Sequence, residues 1–172
     1  MTKIDNLTKY LANVYSWFVF VMMGLIVVSV TLRYFFGVSL SWSNDLVWQL
    51  YGLLIIFGCS YALQKKSHVR TDIYWSKWSN KTRATIDLIS YLFLFFPAIG
   101  ILFWISVGSA MSSVIVDERS SMTASQMIVW PLKVGIALGL SLLLLQALSE
   151  TIKCVNALRS DADPLKYNEV DL

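Results

Sequence analysis

The stretch YLANVYSWFVFVMMGLIVVSVTL, residues 10–32, decides the fold, because it sets 23 consecutive uncharged positions between Lys9 and Arg33. A helix needs only about 20 apolar residues to cross the roughly 30 Å of hydrocarbon in a bilayer, so this run suffices for one crossing. A secretory signal would have a shorter apolar core and a small-x-small cleavage site after it. No such site follows Leu32, and the run is expected to persist as a helix.

Working outward, three further runs have the same character. Residues 46–64 lie uncharged between Asp45 and Lys65, and residues 88–116 hold 29 uncharged positions, more than a perpendicular crossing requires. That third helix must tilt, kink at Pro97 or end in a polar surface segment, and its span is placed at about 88–112. A fourth span, about 127–148, is leucine-dense although Lys133 interrupts it, and a polar tail, 149–172, follows. The expectation is an all-α membrane protein: one domain of four transmembrane helices.

The remaining composition agrees. Of 172 residues, 56% are hydrophobic and 15% charged, against about 25% charged in ordinary soluble domains. The net charge of +3 does not imply nucleic acid as a partner, because the basic residues form no patch on a soluble scaffold. They read instead as orientation. Eleven of the 14 Lys and Arg fall in the amino-terminal segment, the loop between spans two and three, and the tail, leaving Arg33, Arg119 and Lys133 elsewhere. The positive-inside rule then puts both termini and that loop in the cytoplasm, with 33–45 and 117–126 facing outward.

On a helical projection, residues 69–83 of the middle loop gather Thr71, Tyr74, Trp75, Trp78 and Thr82 on one face, with Arg70, Lys77 and Lys81 on its flank. Two readings stand: an amphipathic interfacial helix, with Tyr74, Trp75 and Trp78 as anchors and membrane lipid as its partner, or a solvated connector whose tryptophans cap spans two and three. In span four, Gly135 and Gly139 form a G-x-x-x-G pattern that lets a helix approach closely, whether inside the chain or from a partner.

No catalytic, metal-binding or cofactor-binding residue is expected. Cys59 and Cys154 form no C-x-x-C pair, and His68, the single histidine, lies in a loop, which excludes bis-histidine haem ligation in this chain. No nucleophile, base and orienting acid can be assembled around it. A self-sufficient small transporter or channel, acting as a homo-oligomer, is the competing functional class. Such a protein is expected to hold a carboxylate deep within a span, whereas the sequence places its carboxylates at helix ends and in loops.

Residues 33–46, RYFFGVSLSWSNDL, lead through an apolar helix to KKSHVRTDI at 65–73. This pattern resembles the small integral membrane subunit, DctQ type, of tripartite ATP-independent periplasmic (TRAP) transporters. The resemblance rests on Arg33, Trp42 and Asp45 around the first hairpin and on His68, Val69 and Asp72 after span two. One departure stands out: the family pattern has two acidic residues after the Trp-Ser pair, and here Asn44 precedes Asp45. What the resemblance implies is a scaffold in a sodium-coupled importer of an organic acid anion, with sialic acid favoured over C4-dicarboxylates. Its partners would be a large elevator-type membrane subunit and a periplasmic binding protein, in the bacterial inner membrane. Arg33 and Asp45 emerge on one side of adjacent spans and are read as an ion pair fixing the hairpin, or else as ordinary boundary charges. His68, Arg70 and Asp72 either contact the large subunit or, through Asp72, cap the interfacial helix.

Overall fold

The computed structural model describes residues 2–65, 80–121 and 125–159. Five α-helices build it: α1 (Thr2–Phe36), α2 (Ser41–Gln64), α3 (Asn80–Ser90), α4 (Phe96–Val116) and α5 (Trp130–Arg159). A π-helical turn, Tyr91–Phe95, joins α3 to α4 into one rod. Among the described residues, four stretches are long and apolar enough to span a membrane: Ile4–Phe36, Ser41–Gln64, Thr85–Val116 and Trp130–Val155.

The π turn has a local cause. Pro97 has no N–H to offer the carbonyl four residues back, and its ring crowds that carbonyl. The helix widens just before it, and the Phe96 N–H reaches back five residues to the Tyr91 carbonyl. The long third run therefore resolves as a widened turn beside the proline.

The helices are joined by tight closures. Gly37, at φ +67°, lets the Val38 N–H return to the Leu32 carbonyl at 3.2 Å and ends α1. At the end of α4, Asp117 takes the left-handed conformation, and the Asp117 and Glu118 N–H groups bond the Val114 and Ser113 carbonyls. That is a Schellman closure with aspartate where glycine is usual.

α2 and α5 are the central pair: α1 packs on α2, α3 and α4 pack on α5, and α1 meets α5 more lightly. Leu63, Leu140, Leu143 and Ala147 form the buried core, with Ile56, Phe95 and Phe103 packed against it. Tyr15 of α1 stacks on Phe57 of α2 at 4.0 Å between ring centroids. Gly135 and Gly139 face α2. A Cβ on Gly139 would stand 2.6 Å from Ile56 Cγ2, and one on Gly135 would overlap Leu53, so the small residues set how closely α2 and α5 approach. Large apolar side chains such as Trp17, Phe20, Trp104 and Ile115 point outward from α1 and α4, as lipid-facing surfaces require.

Helix ends and charge-free runs do not coincide. α1 begins at Thr2 and α2 at Ser41, and α5 continues to Arg159, through the segment read from sequence as the start of a polar tail. Within that continuation Ser149, Glu150 and Cys154 are buried. The physical reason is pairing, since a charge with a partner can enter a packed helix face that an isolated charge could not.

Candidate functional site

Buried polar groups collect at the two ends of the bundle. At the hairpin end, made by residues 37–40, 117–121 and 125–129, Asp45 stands at the fifth position of α2 and is 0% exposed. Its position near a helix N-terminus favours a negative charge. Ser125 Oγ donates to Asp45 Oδ2 at 2.9 Å, while Trp48 Nε1 and Ser120 Oγ donate to Oδ1 at 3.2 and 3.4 Å. The carboxylate thus fastens the α4–α5 connection to the start of α2.

That connection has its own framework. Arg119 and Ile128 form an antiparallel bridge, with Ser120 N–H on the Met127 carbonyl at 2.8 Å and Val129 N–H on the Glu118 carbonyl at 3.0 Å. Gln49 Nε2 donates to the Ile128 carbonyl at 3.1 Å, a second tie to α2. Lys133 pairs with Glu118 instead of standing alone in a span. The Lys133 ammonium beside Glu118 holds its carboxyl below the ordinary carboxylate range. Asp117 and Arg119 pair at 3.0 Å on the exposed surface.

At the terminal end, Gln146 and Glu150 of α5 are 0% and 1% exposed. Lys153 donates to Glu150 Oε1 at 2.6 Å and lies 3.2 Å from Asp5 Oδ2. Gln146 Nε2 bonds Asp5 Oδ1 at 3.0 Å and Glu150 Oε1 at 3.3 Å, and Thr8 Oγ1 lies 3.0 Å from Gln146 Oε1. Gln64 Nε2 donates to the Asp5 carbonyl at 2.9 Å, so α1, α2 and α5 meet in one network. Asp5 in the first turn of α1 also complements that helix dipole.

The sequence-derived residues fall out unevenly. Arg33 is exposed, and among the described residues no ion pair joins it to Asp45, whose carboxylate turns to Ser120, Ser125 and Trp48. Trp42 is exposed at the same end. Gly135 and Gly139 meet α2 within the chain. His68, Arg70, Asp72, Tyr74, Trp75 and Trp78, with the interfacial helix expected around them, lie outside the described residues.

The placement of Glu150 at the start of a polar tail is corrected by the structure, since it lies inside α5 and is buried, whereas Asp45 does sit at a helix end, as the sequence places it, and is fully buried there. Sequence reading passed over Gln146, Glu150 and Lys153. Their spacing of four and three residues on a leucine-rich helix was the available signal, since such positions share one face. Asp5, Thr8, Ser120 and Ser125 gave no comparable signal, because their partners are distant in the chain.

Between the clusters the interior is apolar. Residues 134–145 of α5, about 18 Å of helix, have Ser141 as their one hydroxyl, and it bonds the Leu138 carbonyl. Among the described residues no group of three or more His, Cys, Asp or Glu side chains could hold a metal ion. This arrangement can brace helices at both ends, and it offers no polar path through the middle.

The sequence model of the family described as "Tripartite ATP-independent periplasmic transporters, DctQ component" matches residues 22–157. That range includes the Asp45 cluster and the α5 side of the terminal network, and it leaves out Asp5 and Thr8. No curated protein and no solved structure matches the chain.

Proposed function

The chain belongs to the DctQ component family of tripartite ATP-independent periplasmic transporters and is thus the small subunit of such a transporter, not an enzyme; from that premise we propose that it is a static brace for the large transport subunit. In this reading the large subunit carries an organic acid anion, sialic acid ahead of C4-dicarboxylates, by a sodium-coupled elevator motion. The small subunit widens and anchors the part that stays still. Both termini lie in the cytoplasm and the membrane is the bacterial inner membrane, in keeping with the distribution of Lys and Arg.

The observation that carries the proposal is the apolar middle of the α2–α5 pair, closed at each end by polar groups that bond one another. A conduit needs polar groups within the hydrocarbon to bind and release its cargo. A brace needs fixed ends and a packed waist, which Asp45, Gln146, Glu150, Gly135 and Gly139 supply. The hairpin end, with exposed Asp117 and Arg119, is the surface assigned to the periplasmic binding protein, where rim charges tune encounter rate more than affinity. His68, Arg70 and Asp72 are assigned to the cytoplasmic edge of the large subunit, with Tyr74, Trp75 and Trp78 anchoring the neighbouring interfacial helix in lipid.

The test is reconstitution. The chain is expected to co-purify with the large subunit, and solute uptake into proteoliposomes should require both of them and the binding protein. Uptake driven by this chain alone would overturn the brace reading in favour of a self-sufficient homo-oligomeric transporter.

A further inference from the structure

The groove between α1 and α2 has a pocket near each end, and each pocket contains one cation. The terminal-end pocket, about 420 Å³, is lined by Lys9, Asn13, Ser16 and Tyr61 together with Leu54 and Gly58. The hairpin-end pocket, about 170 Å³, is lined by Ser29, Arg33, Ser43, Asn44 and Trp48 together with Val30. Lys9 and Arg33 are both exposed, and neither side chain has an ion pair or hydrogen bond among the described residues. The carboxylates closest in sequence are engaged elsewhere, Asp5 with Lys153 and Asp45 with Ser125.

Lys9, Asn13 and Ser16 follow one another at four and three residues, so they form a single polar stripe descending α1 from its terminal end. Ser16 Oγ donates to the Ala12 carbonyl at 2.9 Å, so the unsatisfied part of the stripe is Lys9 with Asn13, whose exposure to hydrocarbon is costly and calls for a polar occupant. The spacing of the two cations says which kind. Lys9 and Arg33 are 24 residues apart on one continuous helix, a rise of about 36 Å. That exceeds the roughly 30 Å hydrocarbon core and falls short of the 40–45 Å that includes the headgroups. Each cation therefore stands at the headgroup level of its own leaflet.

We propose that the α1–α2 groove binds two acidic phospholipids, one from each leaflet, with their phosphates held by Lys9 and Arg33 and their acyl chains lying along the groove toward Ile26 and Leu54. Asn13 and Tyr61 supply polar groups for the first headgroup, and Ser29, Ser43 and Asn44 for the second. The phosphate anion satisfies the stripe that hydrocarbon cannot.

The experiment is native mass spectrometry of the full chain in detergent, titrated with phosphatidylglycerol and separately with phosphatidylcholine, alone and as its complex with the large subunit. Two phosphatidylglycerol molecules are expected per chain, held more tightly than phosphatidylcholine. Lys9→Gln and Arg33→Gln should each weaken one of them about fivefold, the double variant both, and Arg119→Gln neither. Gly58 has no heavy atom within 4 Å of an added Cβ, so Gly58→Leu fills the terminal-end pocket with the charges intact and should displace that lipid alone. Wild-type binding by the double variant would overturn the proposal. So would loss of both lipids on complex formation, because a helix of the partner would then be the occupant.

Discussion

The two ends of the bundle bury the same chemical group in different ways. At the hairpin end, Asp45 gathers hydroxyls and an indole, and its ties reach 75 and 80 residues along the chain to Ser120 and Ser125. At the terminal end, Glu150 has an ammonium three residues away, and the long tie runs from Lys153 to Asp5, 148 residues distant. One carboxylate pins a loop to a helix, and the other belongs to a cluster that ties α5 to the first turn of α1. The lesson is that a buried acid in a membrane bundle need not be a transport site when it is spent on holding distant segments together.

Substitution of Asp45 is expected to have the largest effect. Asp45→Ala leaves the donors of Ser120, Ser125 and Trp48 without this acceptor and should cost about 3 kcal/mol, with Asp45→Asn milder. Thermal unfolding in detergent measures the loss, and limited proteolysis should cut within 117–129 before it reaches the amino terminus. Equal exposure of both ends would break the distinction between them.

Lys153→Ala comes next. It strands the buried Glu150 beside Asp5, yet the Lys153 side chain is 33% exposed, so screening by water reduces the cost to about 1–2 kcal/mol. Hydrogen exchange should rise in the first two turns of α1 while the hairpin end stays protected. Exchange confined to α5 would show that α1 is not held to α5 through this cluster.

The packed waist that links the ends separates Gly139 from Gly135. Gly139→Ala meets Ile56, a β-branched residue with little rotamer freedom, at three of its atoms, whereas Gly135→Ala meets the flexible end of Leu53. Gly139→Ala should cost about 1 kcal/mol and lower the unfolding temperature more than Gly135→Ala, loosening both ends together.

The smallest effect distinguishes the ends by acidity. Pairing with Lys133 depresses the Glu118 pKa in the folded protein, so its stabilisation is present above the ordinary value of 4.5 and fades as pH falls below it. Proteolytic protection of 117–129 should therefore decline below about pH 4.5, and Lys133→Met should remove that acid sensitivity.

Much of this architecture was legible from residue order. Charge-free runs counted the crossings because hydrocarbon excludes unpaired charge, a rule that acts on local composition. Pro97 marked the place where the third rod changes its winding, and the spacing of Gly135 and Gly139 marked a helix contact. Arg33 and Asp45 were close enough at the hairpin to suggest a pair, but the direction in which the Asp45 carboxylate points depends on Ser120 and Ser125, which arrive from the other end of the chain. Glu150 looked like the start of a polar tail because the cluster that buries it is closed by Asp5, which shares Lys153 and Gln146 with it and belongs to the first turn of α1.

The sequence by itself determined that this is a four-span helical membrane protein and resembled the DctQ family clearly enough to place it among transporter subunits. Tertiary structure alone decided which acids are buried, what neutralises them, that the two glycines face α2, and that Lys9 and Arg33 stand at opposite ends of one groove. The physical reason is range. Partition into lipid depends on what a short window contains, while hydrogen bonding and ion pairing depend on which distant windows the fold brings within about 3 Å.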